Sequence, residues 1–128
     1  MQKIDSLNQV AEFHKTFGAP ILPNPTIPHA DRCALRVSLL SEELDELKEA
    51  IAANDLVEIA DALGDMLYIL CGTIIEHGLQ HKIEEVFNEI QRSNMSKLGE
   101  DGQPIYREDG KVMKGPNYFK PNFEEILK

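Results

Sequence analysis

Residues 56–72 are apolar on almost every side, yet they carry acids at regular intervals. The stretch reads Leu56-Val57-Glu58-Ile59-Ala60-Asp61-Ala62-Leu63-Gly64-Asp65-Met66-Leu67-Tyr68-Ile69-Leu70-Cys71-Gly72. Glu58, Asp61, Asp65, Tyr68 and Gly72 follow one another in steps of three, four, three and four. That spacing puts all five on one face of an α-helix. The rest of the helix is apolar, so the segment is expected to be fully buried. A buried carboxylate is costly unless it is paired or bound to a cation. Three on one narrow stripe point to a cation.

The chain has 128 residues, which fits one domain with a single core. It contains no long uncharged apolar run, so no transmembrane helix and no membrane partner are expected. The N-terminal residues lack the apolar core of a signal peptide. Cys33 and Cys71 have no metal-like spacing and are expected to be reduced core thiols, which suits a cytoplasmic protein. The formal net charge is −9. Such a chain does not attract nucleic acid through its overall field. A phosphate ligand must be met by bound metal or by a local group of basic residues.

Four helices and a tail are expected. The first spans about Ser6 to Phe17, with Asp5 or Ser6 as cap and Gly18 with Pro20 as stop. Pro20 to Pro28 is too proline-rich for a helix or a central strand. The second helix runs from about Asp31 to Ala53. Asn54-Asp55 forms a short turn, with Asp55 capping a third helix that ends near Gly78. The fourth runs from about Gln80 to Leu98, with Gly99 as C-cap. Asp101-Gly102 and Asp109-Gly110 are turn signals. Tyr106-Arg107 and Lys111-Val112 can pair across the second turn. Phe119 to Lys128 is expected to add a last helical turn. Short connections between helices two, three and four favour an antiparallel bundle. The fold class is therefore all-α: a four-helix bundle-like core over about 5–98 and an irregular tail over 99–128.

The second helix contains Glu42-Glu43-Leu44-Asp45-Glu46-Leu47-Lys48-Glu49. Leu40, Leu44, Leu47 and Ile51 set its apolar face. At about 100° per residue, Glu43 borders that face and Glu46 lies a little further round. Glu42, Asp45 and Glu49 turn away, as a solvated face would. Arg36, two turns before Glu43, shares its edge. Helices two and three must run antiparallel, so Glu43 and Glu46 can come level with Asp61 and Asp65. Glu58 is nearer the helix start, where the dipole itself favours an acid. Oxygen ligands suit Mg²⁺ or Mn²⁺ rather than zinc. No histidine or cysteine lies on these stripes. His14, His29, His77 and His81 are expected at the surface or as caps.

On helix four the stripe Ile83, Val86, Phe87, Ile90 continues to Asn94 and Lys97. These two either belong to the fraying end or face a ligand. The tail adds Arg107, Lys111, Lys114 and Lys120, with Tyr118 and Phe119. It is either a solvated arm or a segment that meets polyphosphate. No Gly-x-x-x-x-Gly-Lys loop occurs, which excludes a P-loop mechanism.

Glu43-x-x-Glu46, then Glu58-x-x-Asp61 with Asp65 before Met-Leu-Tyr, resembles the all-α nucleoside triphosphate pyrophosphohydrolases, the MazG-like superfamily. Ser93-Asn94-Met95-Ser96-Lys97 and Gly110-Lys111-Val112-Met113-Lys114-Gly115-Pro116 are similar to the tail of its phosphoribosyl-ATP pyrophosphohydrolase-like branch. The resemblance covers about residues 30 to 120. Ala62 departs from the pattern, because many members carry glutamate there. Either Asp61 takes that role, or Glu58 and Asp61 are the matching pair and Asp65 is an extra ligand.

The resemblance implies Mg²⁺-dependent hydrolysis between the α and β phosphates of a nucleoside triphosphate, giving a monophosphate and pyrophosphate. Glu43, Glu46, Glu58, Asp61 and Asp65 would be metal ligands, with Glu43 or Glu46 also acting on the attacking water. Lys97, Lys111 and Lys114 would hold phosphate, and Asn94 the sugar or base. Tyr118 stands with them as a substrate contact, and Arg36 would orient Glu43 or touch phosphate. It also implies a dimer, or a tetramer made of dimers. Two further readings stand beside this one: phosphoribosyl-ATP hydrolysis, and a non-catalytic helical module that binds a nucleotide or a protein.

Overall fold

The computed structural model describes residue 1 and residues 3–128. Four helices follow one another: α1 (Ser6–Phe17), α2 (Ala30–Ala52), α3 (Leu56–Glu76) and α4 (Ile83–Met95). The chain divides into two compact units, Met1–Gln80 and His81–Lys128. The fourth helix thus groups with the C-terminal segment rather than with α1 to α3. Among the described residues, no helix is long and apolar enough to cross a membrane.

In the first unit α3 is the central element and packs against both α1 and α2. Gly18 closes α1 in the left-handed region at φ 75°, its N–H donating to the His14 carbonyl. This is the glycine stop that sequence anticipates. Ala53 to Asp55 reverses the chain between α2 and α3. Asn54 takes positive φ there, and the Asp55 carboxylate accepts the Glu58 N–H at 3.1 Å. The core joins Val10, Cys71 and Ile75, with Leu7, Ala11 and Ile21 packed on it. The proline-rich segment forms neither helix nor strand and bends at Pro23 and Asn24. It is strapped to the end of α3 by Leu22 N–H to Ile75 O and Thr26 N–H to His77 O. Gly78 has φ 65°, and a Cβ there would collide with the Asn24 backbone.

Two expectations are corrected here, the burial of α3 and the exposure of His14. α3 is not fully buried: Leu56, Val57, Leu63 and Leu70 are 77, 76, 51 and 47% exposed. Among the described residues of the first unit, α1 and α2 are the helices that pack on it, and two neighbouring helices leave part of a helix that is apolar all round uncovered. His14 is not a surface residue but is 3% exposed. It sits one turn after Val10 on the inward face of α1, and its Nδ1 lies 2.9 Å from the Pro20 carbonyl. His29 and His77 do occupy cap positions, and the His29 ring accepts the Asp31 N–H. Both cysteines are free; Cys71 is buried and Cys33 half-buried.

α4 is shorter than expected at both ends. Leu79 N–H bonds back to Ile74 O and the Gln80 amide to Leu22 O, so these residues finish the α3 end. At the other end the Ser96 hydroxyl donates to Ser93 O. Such local bonding competes with helix continuation, so Ser96 rather than Gly99 is the C-cap. The second unit is tied together by Ser93 Oγ donating to Phe119 O at 2.8 Å and by Arg92 lying 4.3 Å over the Phe119 ring. The anticipated hairpin is present in small form. Tyr106 and Val112 make one antiparallel bridge, and Arg107 N–H donates to Lys111 O at 2.8 Å. Near the C-terminus Leu127 N–H donates to Phe123 O, which closes the one helical turn expected there.

Ile75 is 1% exposed at the centre of the first unit's core. Ile75→Ala is expected to lower unfolding free energy by about 2–5 kcal/mol, measured by urea denaturation. A loss below about 1 kcal/mol would show that this cluster does not hold the unit together.

Candidate metal-binding acid cluster

The turn at residues 53–55 sets α2 and α3 antiparallel, and this brings acids from both helices level. Carboxylate oxygens of Glu43, Glu46 and Asp65 all lie within 4.8 Å of one another. Glu43 and Asp65 are half-buried and Glu46 is exposed. Glu43 Oε2 is buried with no hydrogen-bond partner. Like charges this close oppose shared ionisation. The Glu43 carboxyl is pushed up to about 7 by desolvation first, then by the adjoining Glu46 carboxylate and by the charges of Asp65 and Asp61. Asp65 is also raised, by desolvation and then by Asp61 and Glu46. Asp61 is therefore electrically part of the group.

Glu58 lies outside the tight trio. Together with Asp61, Glu46, Glu49 and Asp55 it lines an adjoining hollow of about 430 Å³, floored by Ala50 and Ala53. The α3 stripe is thus graded: Asp65 faces Glu43 and Glu46, Asp61 stands beside them, and Glu58 opens on the hollow. Ala62 is completely buried. An unpartnered buried oxygen among mutually repelling carboxylates is a donor set that a hard divalent cation fits.

Arg36 is buried, and each of its guanidinium nitrogens has a partner. Nε donates to Thr73 Oγ1 at 3.1 Å and Nη2 to Ile69 O at 2.7 Å, while Nη1 lies 3.1 Å from Glu76 Oε2. Desolvation lowers its pKa, Glu76 opposes this, and nearby Arg32 adds to the lowering. Glu76 is 1% exposed and also receives Arg32 at 2.8 Å. Sequence reasoning did not single out Glu76, although the signal was there. The stripe 58, 61, 65, 68, 72 continues at 76. Gly72 has its reason here, since a Cβ would stand 2.5 Å from Arg36 Nη2 and 2.9 Å from His14 Nε2.

The other expected ligand contacts are in the second unit. Asn94 and Lys97 line a mainly apolar hollow of about 390 Å³ with Met95, Leu98, Pro104 and Val112. Lys114 Nζ lies 4.9 Å over the Tyr118 ring. Lys111 sits in the hairpin, its N–H bonded to Asp109. Arg107 forms an ion pair with Asp109, whose carboxyl it holds below the usual range.

The sequence model of the phosphoribosyl-ATP pyrophosphohydrolase family matches residues 10–94. This chain belongs to that family. The match includes both acid-bearing helices and the Glu43/Glu46/Asp65 trio. A curated relative, an uncharacterised protein of Acanthamoeba polyphaga mimivirus, is 29% identical over 99% of this chain. The chain spans about half of that relative's length (48%). A crystal structure from Exiguobacterium sp. 255-15, of a protein named provisionally as an NTP pyrophosphohydrolase, is 31% identical. It aligns over 94% of this chain and 90% of its own, with a TM-score of 0.49.

The raised carboxyls give a pH signature. A carboxyl that titrates at 4.5 unfolded and near 7 folded binds more protons in the folded state. Its contribution to stability is complete below about pH 4.5 and is lost as pH rises through 7. Metal-free protein is therefore expected to lose stability between about pH 5 and 7.5, and Glu43→Gln to flatten that slope. Urea melts across this range check it; identical slopes for the two proteins would show that Glu43 is not strained.

Proposed function

We propose that this chain is a divalent-cation-dependent pyrophosphohydrolase that cleaves the α–β phosphate bond of a nucleoside triphosphate. The observation that carries the reading is the trio Glu43, Glu46 and Asp65, with one buried carboxylate oxygen lacking any partner. Family membership supports it. Mg²⁺ or Mn²⁺ would be held by Glu43, Glu46 and Asp65, with Asp61 and Glu58 beside them. When bound, such a cation neutralises phosphate charge and acidifies water. Glu43 and Glu46 orient the attacking water, and a carboxylate poised near neutrality is suited to accept its proton. Asn94, Lys97, Lys111, Lys114 and Tyr118 are the proposed nucleotide contacts. Arg36 already has three partners and is assigned to the scaffold instead.

A second substrate, phosphoribosyl-ATP, is favoured by the description of the matching family. It carries the same α–β bond, so the acid cluster serves both. We also infer a homodimer or a tetramer built from dimers. The apolar face of α3 around Leu56, Val57, Leu63 and Leu70 is the kind of patch that a second copy covers.

The test is a panel of nucleoside triphosphates and phosphoribosyl-ATP with Mg²⁺, following monophosphate and pyrophosphate. Glu46→Ala and Asp65→Ala should each lower kcat by at least about 100-fold while the protein stays folded. Activity that survives both substitutions would remove the metal-cluster mechanism and favour a non-catalytic binding module. Mg²⁺ is separately expected to raise the Tm of the wild type, since a ligand of the folded state stabilises it. The same Tm at every magnesium concentration would count against the site. Light scattering should give a mass of two or four chains; a monomer at micromolar concentration would overturn the oligomer.

A further inference from the structure

The Arg32–Glu76–Arg36 group lies toward the end of the α2–α3 pair opposite the turn. Glu76, on the last turn of α3, has its carboxylate in the interior. Arg32 Nε and Nη2 both reach its Oε1 at 2.8 Å, and Arg36 lies 3.1 Å from its Oε2. Arg36 further grips Ile69 O and Thr73 Oγ1. Ile69 is one helical turn beyond Asp65, and Arg36 is two turns before Glu43. The guanidinium fits only because residue 72 has no side chain. Replacing a buried ion group by apolar side chains is often neutral for stability, and the best-attested use of such groups is to fix register. Here the candidates for register are two helices whose facing acids must meet. A helix advances about 1.5 Å per residue, so slippage of one residue is comparable to the tolerance of a cation site.

We propose that this buried triad is a register lock and that Arg36 and Glu76 are positioning residues for the acid cluster. The effect on cation binding rests on the proposed metal site; the effect on helix register does not. Two readouts separate them. The first is Mn²⁺ affinity of the full chain by isothermal titration, well below the unfolding temperature. Arg36→Met and Glu76→Gln should each raise the Mn²⁺ Kd by about 10-fold or more, as loss of a supporting residue around a metal site commonly does. Arg36→Lys should fall between them and wild type, because an ammonium cannot reproduce the three-way fork. Ile75→Val, a core change of ordinary cost, should leave Kd within about twofold.

The second readout is the distance between spin labels at Glu42→Cys and Gly64→Cys, where a side chain meets open space, with Cys33 and Cys71 replaced and the labelled chain diluted in unlabelled protein. The distribution should be narrow in the wild type and broadened or shifted in Arg36→Met and Glu76→Gln. If Arg36→Met does not fold, Glu76→Gln carries both measurements. Folded variants with wild-type Kd and an unchanged distance distribution would overturn the lock. If the wild type binds no Mn²⁺, the metal reading fails and the label distances alone decide the lock.

Discussion

The antiparallel pairing of α2 and α3 is the constraint on which the site depends. A turn of a few residues, capped by Asp55, makes every position on one helix answer to a position on the other. Glu43 and Glu46 are ordinary acids on a charged helix until Asp65 stands opposite them. Ala50 and Ala62 are both buried, and their small side chains take little room in the first unit's interior. The geometry of the site thus comes from backbone pairing more than from any contact among the acids, which repel one another.

Charge is treated in opposite ways along this pair. Glu76 is buried with two arginines, so its negative charge is matched in place. Glu43, Glu46 and Asp65 are gathered with no cation from the described residues to pair them. Desolvation, and then repulsion from neighbouring carboxylates, raises the Glu43 and Asp65 carboxyls above their ordinary values. Paired burial holds structure, whereas unpaired gathering of like charge costs stability and is retained where a ligand supplies the opposite sign.

Much of the fold was legible because its signals are local. Gly18, Asp55 and the proline run mark helix ends and a connection through backbone rules that hold in any context, and α1 to α3 start or stop within two residues of those marks. The ends of α4 were less legible. Gln80 and Ser96 are acceptable helix formers, but tertiary or side-chain bonds to Leu22 and Ser93 claim them. His14 was misplaced for a similar reason: a histidine read alone looks solvated, and only the docking of α1 on α3 puts it inside. In the site, the period of the α3 acids was readable, but their ranking was not. Nor was Arg36 readable as a scaffold residue, since its partner Glu76 is forty positions away.

By itself the sequence determined that the chain is helical, that α2 and α3 run antiparallel, and that their acids share one side. These follow from periodicity and from a loop too short for any other path. Only the tertiary structure decided that Asp65 rather than Glu58 closes the trio, that Arg36 serves Glu76, and that much of the apolar surface of α3 is left open within one chain. Those outcomes depend on helix rotation and on distances of a few ångströms between residues far apart in sequence, which spacing along a single helix does not specify.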